Sequence, residues 1–97
     1  TDAAPAVDGF VVTDNSNPNW SRHTVDWSVS DADGDLATVT SEQVTGDGSV
    51  VDAVSTSASG DAASGVDDLE SRRTSVAEVR LTVVDEAGNE TVATRTL

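Results

Sequence analysis

The chain has 97 residues, no cysteine, five arginines, no lysine and a net charge of −13. That length holds at most one domain, and the missing cysteines exclude a disulfide framework and any thiolate metal site. The acidic field repels nucleic acid and anionic lipid, and no apolar run approaches the ~18 residues of a membrane span.

In chain order, the first predicted strand covers about Ala6 to Thr13, with Phe10 and Val12 facing inward. The second covers His23 to Ser30, where Val25, Trp27 and Val29 alternate with Asp26 and Ser28. This period of two marks a half-buried antiparallel strand. The third covers Leu36 to Val44; Leu36 and Val39 differ in parity, which points to a bulge. The fourth covers Ser49 to Ser57. From Ser55 to Val66 the chain reads "STSASGDAASGV", expected as a short edge strand followed by a loop, and "DDLESRR" after it suits one helical turn or a short strand. The last two strands cover Val76 to Asp85, with Val79, Leu81 and Val83 on one face, and Glu90 to Leu97.

Turn chemistry separates the strands. "DNSNPN" (14–19), "DADGD" (31–35) and "TGDGS" (45–49) are loops. "DEAGN" (85–89) closes a hairpin in which Gly88 is free to take positive φ. About seven short strands at this spacing predict an all-β, antiparallel sandwich. Trp27 is its natural inter-sheet anchor, with Phe10 and Trp20 as the other large core candidates. Residues 1–97 form one domain in this reading, with 1–5 as linker or N-terminal extension. The segment lacks a signal-peptide start and reads as a piece of a larger protein.

Two blocks, "VDWSVSDADGDLATVT" and "VRLTVVDEAGNETVATRT", resemble the immunoglobulin-like, polycystic-kidney-disease-type domains of archaeal and bacterial surface proteins. The second block is similar to their last hairpin, and the first to their Asp-Gly-Asp turn between strands two and three. The blocks cover about a third of the chain. The aromatic-Asp-Phe-Gly-Asp-Gly motif of those domains is missing, so the broader term, immunoglobulin-like, is the better fit.

The acidity admits two origins. Low hydrophobicity with high net charge can signal disorder, but the strand periodicity argues against it. Adaptation to molar salt is the other origin: at 1 M the screening length is about 3 Å, and short hydrated carboxylates then replace long lysine stems. No lysine, isoleucine or methionine beside abundant Asp, Ala, Thr and Val resembles a halophilic archaeal protein.

"SDADGDLATV" (30–39) carries the sharpest chemical question. Asp31, Asp33, Asp35 and Glu42 fall at positions one, three, five and twelve of an EF-hand count. The glycine is at position four instead of six, and strands instead of helices flank it, so an EF-hand is excluded. A looser calcium site stays open, because Ca²⁺ accepts about six to eight oxygens in irregular geometry. The resemblance implies that Asp31, Asp33 and Asp35 share a pole with Asp85, Glu86 and the N-terminal Asp2. Against this stands the plain reading that Asp and Gly make turns without any ion.

Other chemistry is sparse. His23 is the one histidine, so zinc lacks ligands and a nucleophilic triad lacks its frame. Paired carboxylates of the glycosidase type would need aromatic platforms beyond Phe10, Trp20 and Trp27. Asn19-Trp20-Ser21 and Asn89-Glu90-Thr91 are glycosylation sequons, at home on a surface loop of an exported protein. Arg72 and Arg73 balance Asp67, Asp68 and Glu70.

The expected function is therefore non-enzymatic: a structural, adhesion or assembly module of an extracellular or cell-surface protein of a halophilic archaeon. The expected cofactor is none, or calcium. Partners are other domains of the same chain or neighbouring surface subunits, with no nucleic acid and no membrane insertion by this segment. The alternatives are an accessory domain of a secreted hydrolase that binds polysaccharide or protein, and a strand-exchanging filament subunit with "TDAAPAV" as donor.

Overall fold

The computed structural model describes residues 4–72 and 76–96. Seven strands follow one another: β1 (Ala6–Asp14), β2 (Trp20–Ser30), β3 (Leu36–Thr45), β4 (Val50–Ser57), β5 (Ala62–Arg72), β6 (Val76–Asp85) and β7 (Glu90–Thr96). They form a three-stranded sheet of order β1-β2-β5 and a four-stranded sheet of order β4-β3-β6-β7. Every pairing is antiparallel. The fold is a two-sheet antiparallel β-sandwich, as the alternation predicts, and is immunoglobulin-like, as the resemblance implies. No helix among the described residues is long and apolar enough to cross a membrane.

The core lies between the sheets. Phe10, Val25, Trp27, Val29 and Leu69 come from one sheet, and Leu36, Val39, Val79, Leu81 and Val83 from the other. Valine dominates because a β-branched side chain stiff at χ1 suits a pleated surface. The expected bulge in β3 is present, as a register shift between Leu36 and Thr38 against β6. It reconciles two inward residues of opposite parity.

Two expectations need correction. The Ser/Ala/Gly stretch does not end in a loop: β5 runs unbroken through Ala62–Arg72 and pairs with β2 along its whole length. Of the two readings of "DDLES", helical turn or strand, the strand is the one observed, within β5. Its inward residues are Ala63, Gly65, Asp67, Leu69 and Ser71, a set without apolar alternation. Gly65 is inward because only a hydrogen fits: a Cβ there would sit 2.7 Å from Cζ2 of Trp27. Trp20, expected in the core, is half-buried at the start of β2, with the Arg22 guanidinium 5.7 Å from its ring.

Side chains close both seams of the sandwich. Arg95 Nε of β7 donates to the Phe10 carbonyl of β1 at 2.9 Å, with its guanidinium 5.7 Å from the Phe10 ring. Thr91 Oγ1 donates to the Pro5 carbonyl, and Pro5 itself is buried. On the other seam the Glu70 N–H of β5 donates to Asp52 Oδ2 of β4 at 2.8 Å.

The register also fixes where the chain enters and leaves. Ala6 pairs with Ser30 and Leu36 with Asp85, so the start of β1, the 31–35 turn and the 85–89 turn share one pole. Thr96 pairs with Glu78 and Thr45 with Val76, which puts the end of β7 at the other. The molecule is a rod with extents of 47 × 23 × 18 Å.

Candidate metal centre

The 31–35 turn is built by its own side chains. The Asp33 N–H donates to Asp31 Oδ1 at 2.8 Å, and the Gly34 N–H donates to the Asp31 carbonyl at 3.1 Å. Gly34 takes φ of +70°, the left-handed region that glycine enters without a Cβ penalty. The reversal folds positions i, i+2 and i+4 onto one another. One carboxylate oxygen each from Asp31, Asp33 and Asp35 lies within 4.8 Å of the others.

Three hydrogen bonds to two neighbouring segments pin the turn. The Asp31 N–H donates to the Asp61 carbonyl at 2.8 Å, Leu36 N–H to the Gly60 carbonyl at 3.2 Å, and Glu86 N–H to the Asp35 carbonyl at 2.8 Å. Asp31 is 2% exposed. Its Oδ1 is used by the turn, while its Oδ2 is buried with no hydrogen-bond donor. Two unit charges 4.8 Å apart repel by roughly 3.5 kcal/mol at an effective dielectric near 20. Three converging carboxylates, with Asp31 Oδ2 and Asp35 Oδ1 buried, thus form a site of concentrated negative potential.

Asp85 and Glu86 share this pole but do not join the trio. Asp85 is also 2% exposed, but Oδ1 accepts the Asn89 N–H at 2.8 Å and Oδ2 accepts Asn89 Nδ2 at 3.1 Å. It caps the β6–β7 hairpin and stands outside the trio. Glu86 is exposed. Asp2 lies outside the described residues, as does Arg73.

The two sequons differ in the same way. Asn19 is exposed in the loop before β2. The Asn89 amide nitrogen is engaged by Asp85, so a glycan there would compete with the hairpin cap.

The opposite pole carries a buried polar pair that strand periodicity does not reveal. Gln43 Nε2 donates to the Ser21 carbonyl at 3.1 Å and meets His23 Nδ1 at 2.9 Å. The carbonyl accepts only, which fixes the amide and makes Nδ1 the acceptor. The ring proton then sits on Nε2, 3.7 Å from Asp14 Oδ1. Burial pushes the His23 pKa down, and the Asp14 charge opposes this only in part.

A second buried network lies mid-sandwich. Asp67 Oδ2 accepts Trp27 Nε1 at 2.9 Å and Ser41 Oγ at 2.8 Å, and Oδ1 accepts Thr56 Oγ1 at 3.4 Å. The available signal was parity: Ser41 and Gln43 continue the inward face of Val39, and Asp67 that of Leu69.

The outer face of the three-stranded sheet holds a groove of about 350 Å³. Val11 and Val66, 59% and 61% exposed, flank Asp26, with which both pair in register. The exposed large apolar side chains among the described residues are all valines.

No protein-family model and no curated protein matches this chain. Among solved structures it is similar to a β-glucuronidase from glycoside hydrolase family 2. The TM-score is 0.68 at 12% identity, over 92% of this chain and 11% of that one. The chain thus spans about a ninth of that protein's length. At this identity the likeness shows the fold alone, and it agrees with the sandwich described above.

Proposed function

We propose that this domain is a non-enzymatic structural module, an in-line spacer that carries tension between neighbouring parts of an extracellular or cell-surface protein. The observation that carries the reading is that β1 begins toward one pole of the rod and β7 ends toward the other. Pulling them apart runs along the strands. Tension then shears the ladders of both sheets together, so their hydrogen bonds share it.

The seam supports the same reading. β1 and β7 run in the same direction on facing sheets, and Thr91 and Arg95 tie β7 to the carbonyls of Pro5 and Phe10. These contacts also occupy edge groups that a donor strand would need for exchange. The composition supports an origin in a halophilic archaeon, where screening by molar salt offsets repulsion at a charge of −13.

Force spectroscopy on the chain held near residues 4 and 96 tests this role. One cooperative rupture is expected, releasing roughly 290 Å at about 3.4 Å per residue, net of the roughly 20–25 Å that the Thr91–Pro5 bond leaves between the two attachment points. Gradual extension with no rupture would refute the spacer reading.

A second reading, an accessory ligand-binding domain of a secreted hydrolase, is favoured by the groove between Val11 and Val66. Its exposed walls are aliphatic and Trp27 is buried, which suits a protein partner better than a polysaccharide. Saturable binding of a protein partner in about 2 M KCl, lost on Val66→Asp with the force-extension curve unchanged, would favour this reading over the spacer.

A further inference from the structure

We propose that Asp31, Asp33 and Asp35 hold one divalent cation of the calcium type. The proposal rests on the fold and the turn geometry and does not depend on the tension-carrying role.

Two independent observations point to a ligand. The first is convergence: three carboxylates bring an oxygen each within 4.8 Å of one another. The second is Asp31 Oδ2, an acceptor in a residue 2% exposed and without a donor. A turn alone explains Oδ1, which takes the Asp33 N–H. It does not explain a second oxygen withdrawn from water beside two further carboxylates, since a buried acceptor without a partner is costly. A cation at the convergence supplies the missing partner and removes the mutual repulsion.

The donor set selects the class of cation. All three groups are carboxylates, and no cysteine exists in the chain. The one histidine, His23, pairs with Asp14 at the opposite end of β1 and β2. Hard oxygen donors suit calcium or magnesium over zinc. A pinned turn with unevenly exposed ligands suits the irregular shell of calcium better than the near-ideal octahedron that magnesium demands. Three carboxylates would provide part of the shell, and water the remainder.

The test is calorimetric titration of the metal-free chain with CaCl₂, and separately MgCl₂, in about 2 M KCl. One saturable calcium event is expected, with a dissociation constant of about 10⁻⁴ to 10⁻³ M and magnesium at least tenfold weaker. Asp31→Asn keeps the acceptor for the Asp33 N–H and should weaken calcium at least tenfold. Asp26→Asn, on the outer face of β2, should leave it unchanged. No saturable event, or equal affinity in Asp31→Asn, overturns the proposal.

Amide shifts of the unaltered chain provide a check that no variant's folding can confound. Calcium should move residues 31–35 and their partners Gly60, Asp61 and Glu86 to saturation. Shifts spread evenly over the acidic surface overturn the site.

Discussion

The indole N–H of Trp27 donates to Asp67 Oδ2 at 2.9 Å, and the same oxygen accepts Ser41 Oγ from the opposite sheet at 2.8 Å. One buried carboxylate, 6% exposed, therefore orients the largest core side chain and ties the sheets together. Asp67→Ala strands the indole N–H and the Ser41 hydroxyl away from water. A loss of about 2–4 kcal/mol is expected, read from chemical denaturation. Trp27 fluorescence should shift as its environment loosens. A loss under about 0.5 kcal/mol would mean that the network adds nothing.

Gly9 in β1 and Gly65 in β5 flank β2 on either side and should respond oppositely to the same change. Replacing glycine by alanine usually adds about 0.4–1 kcal/mol by restricting the unfolded chain. At Gly9 the new Cβ meets Ser28 Cβ at an ordinary 3.8 Å, but at Gly65 it meets the Trp27 ring at 2.7 Å. Gly9→Ala should be neutral or stabilising. Gly65→Ala should cost about 1–3 kcal/mol through overpacking. Thermal melts of the two variants side by side check the ordering.

The His23 pair predicts a pH dependence. Burial holds the folded-state pKa of His23 below its ordinary 6.5, so the unfolded chain takes up the proton first. Stability is then full above about pH 6.5 and falls as pH drops through the lower folded value. Protonation also sets an Nδ1–H against the Gln43 amide N–H groups, whose direction the Ser21 carbonyl fixes. Melts in about 2 M KCl between pH 7.5 and 4.5 should show this decline, with general charge effects screened. His23→Gln should flatten it. An unchanged slope in that variant would assign the decline to the carboxylates.

Salt should act strongly. Eighteen acidic residues face five arginines, and the ion pairs present, such as Arg22 with Glu70 at 3.2 Å, are partly exposed and contribute little each. Raising KCl from 50 mM to about 2 M should raise the melting temperature, with the β-type circular dichroism spectrum lost at the low end. A native spectrum and an unchanged melt in 50 mM salt would separate the acidity from stability.

The sequence made the valine-rich strands legible because alternation is a direct image of a two-faced sheet. Val25, Trp27 and Val29 on β2, and Val79, Leu81 and Val83 on β6, fall inward as expected. The parity clash between Leu36 and Val39 announced the β3 bulge. β5 was not legible, because its inward face is Ala, Gly, Asp, Leu and Ser. These residues are chosen by what opposes them: a glycine by the Trp27 ring, an aspartate by the indole N–H. Trp20 misled because a large aromatic suggests a core position, whereas Arg22 covers it at the sheet's end. At the acidic pole, spacing showed which residues converge. It did not show that Asp85 is consumed by Asn89, since that depends on the hairpin turn.

The spacer account depends most directly on the chain ends standing at opposite poles. The absence of native cysteine allows Ala4→Cys and Thr96→Cys to be labelled as a unique pair. Dipolar spectroscopy between spin labels in about 2 M KCl should report a separation of roughly 20–25 Å, because Thr91 is bonded to the Pro5 carbonyl and five strand residues at about 3.4 Å each lead on to Thr96. A separation below about 12 Å, less than four strand residues at about 3.4 Å each, would put both ends at one pole and contradict the account.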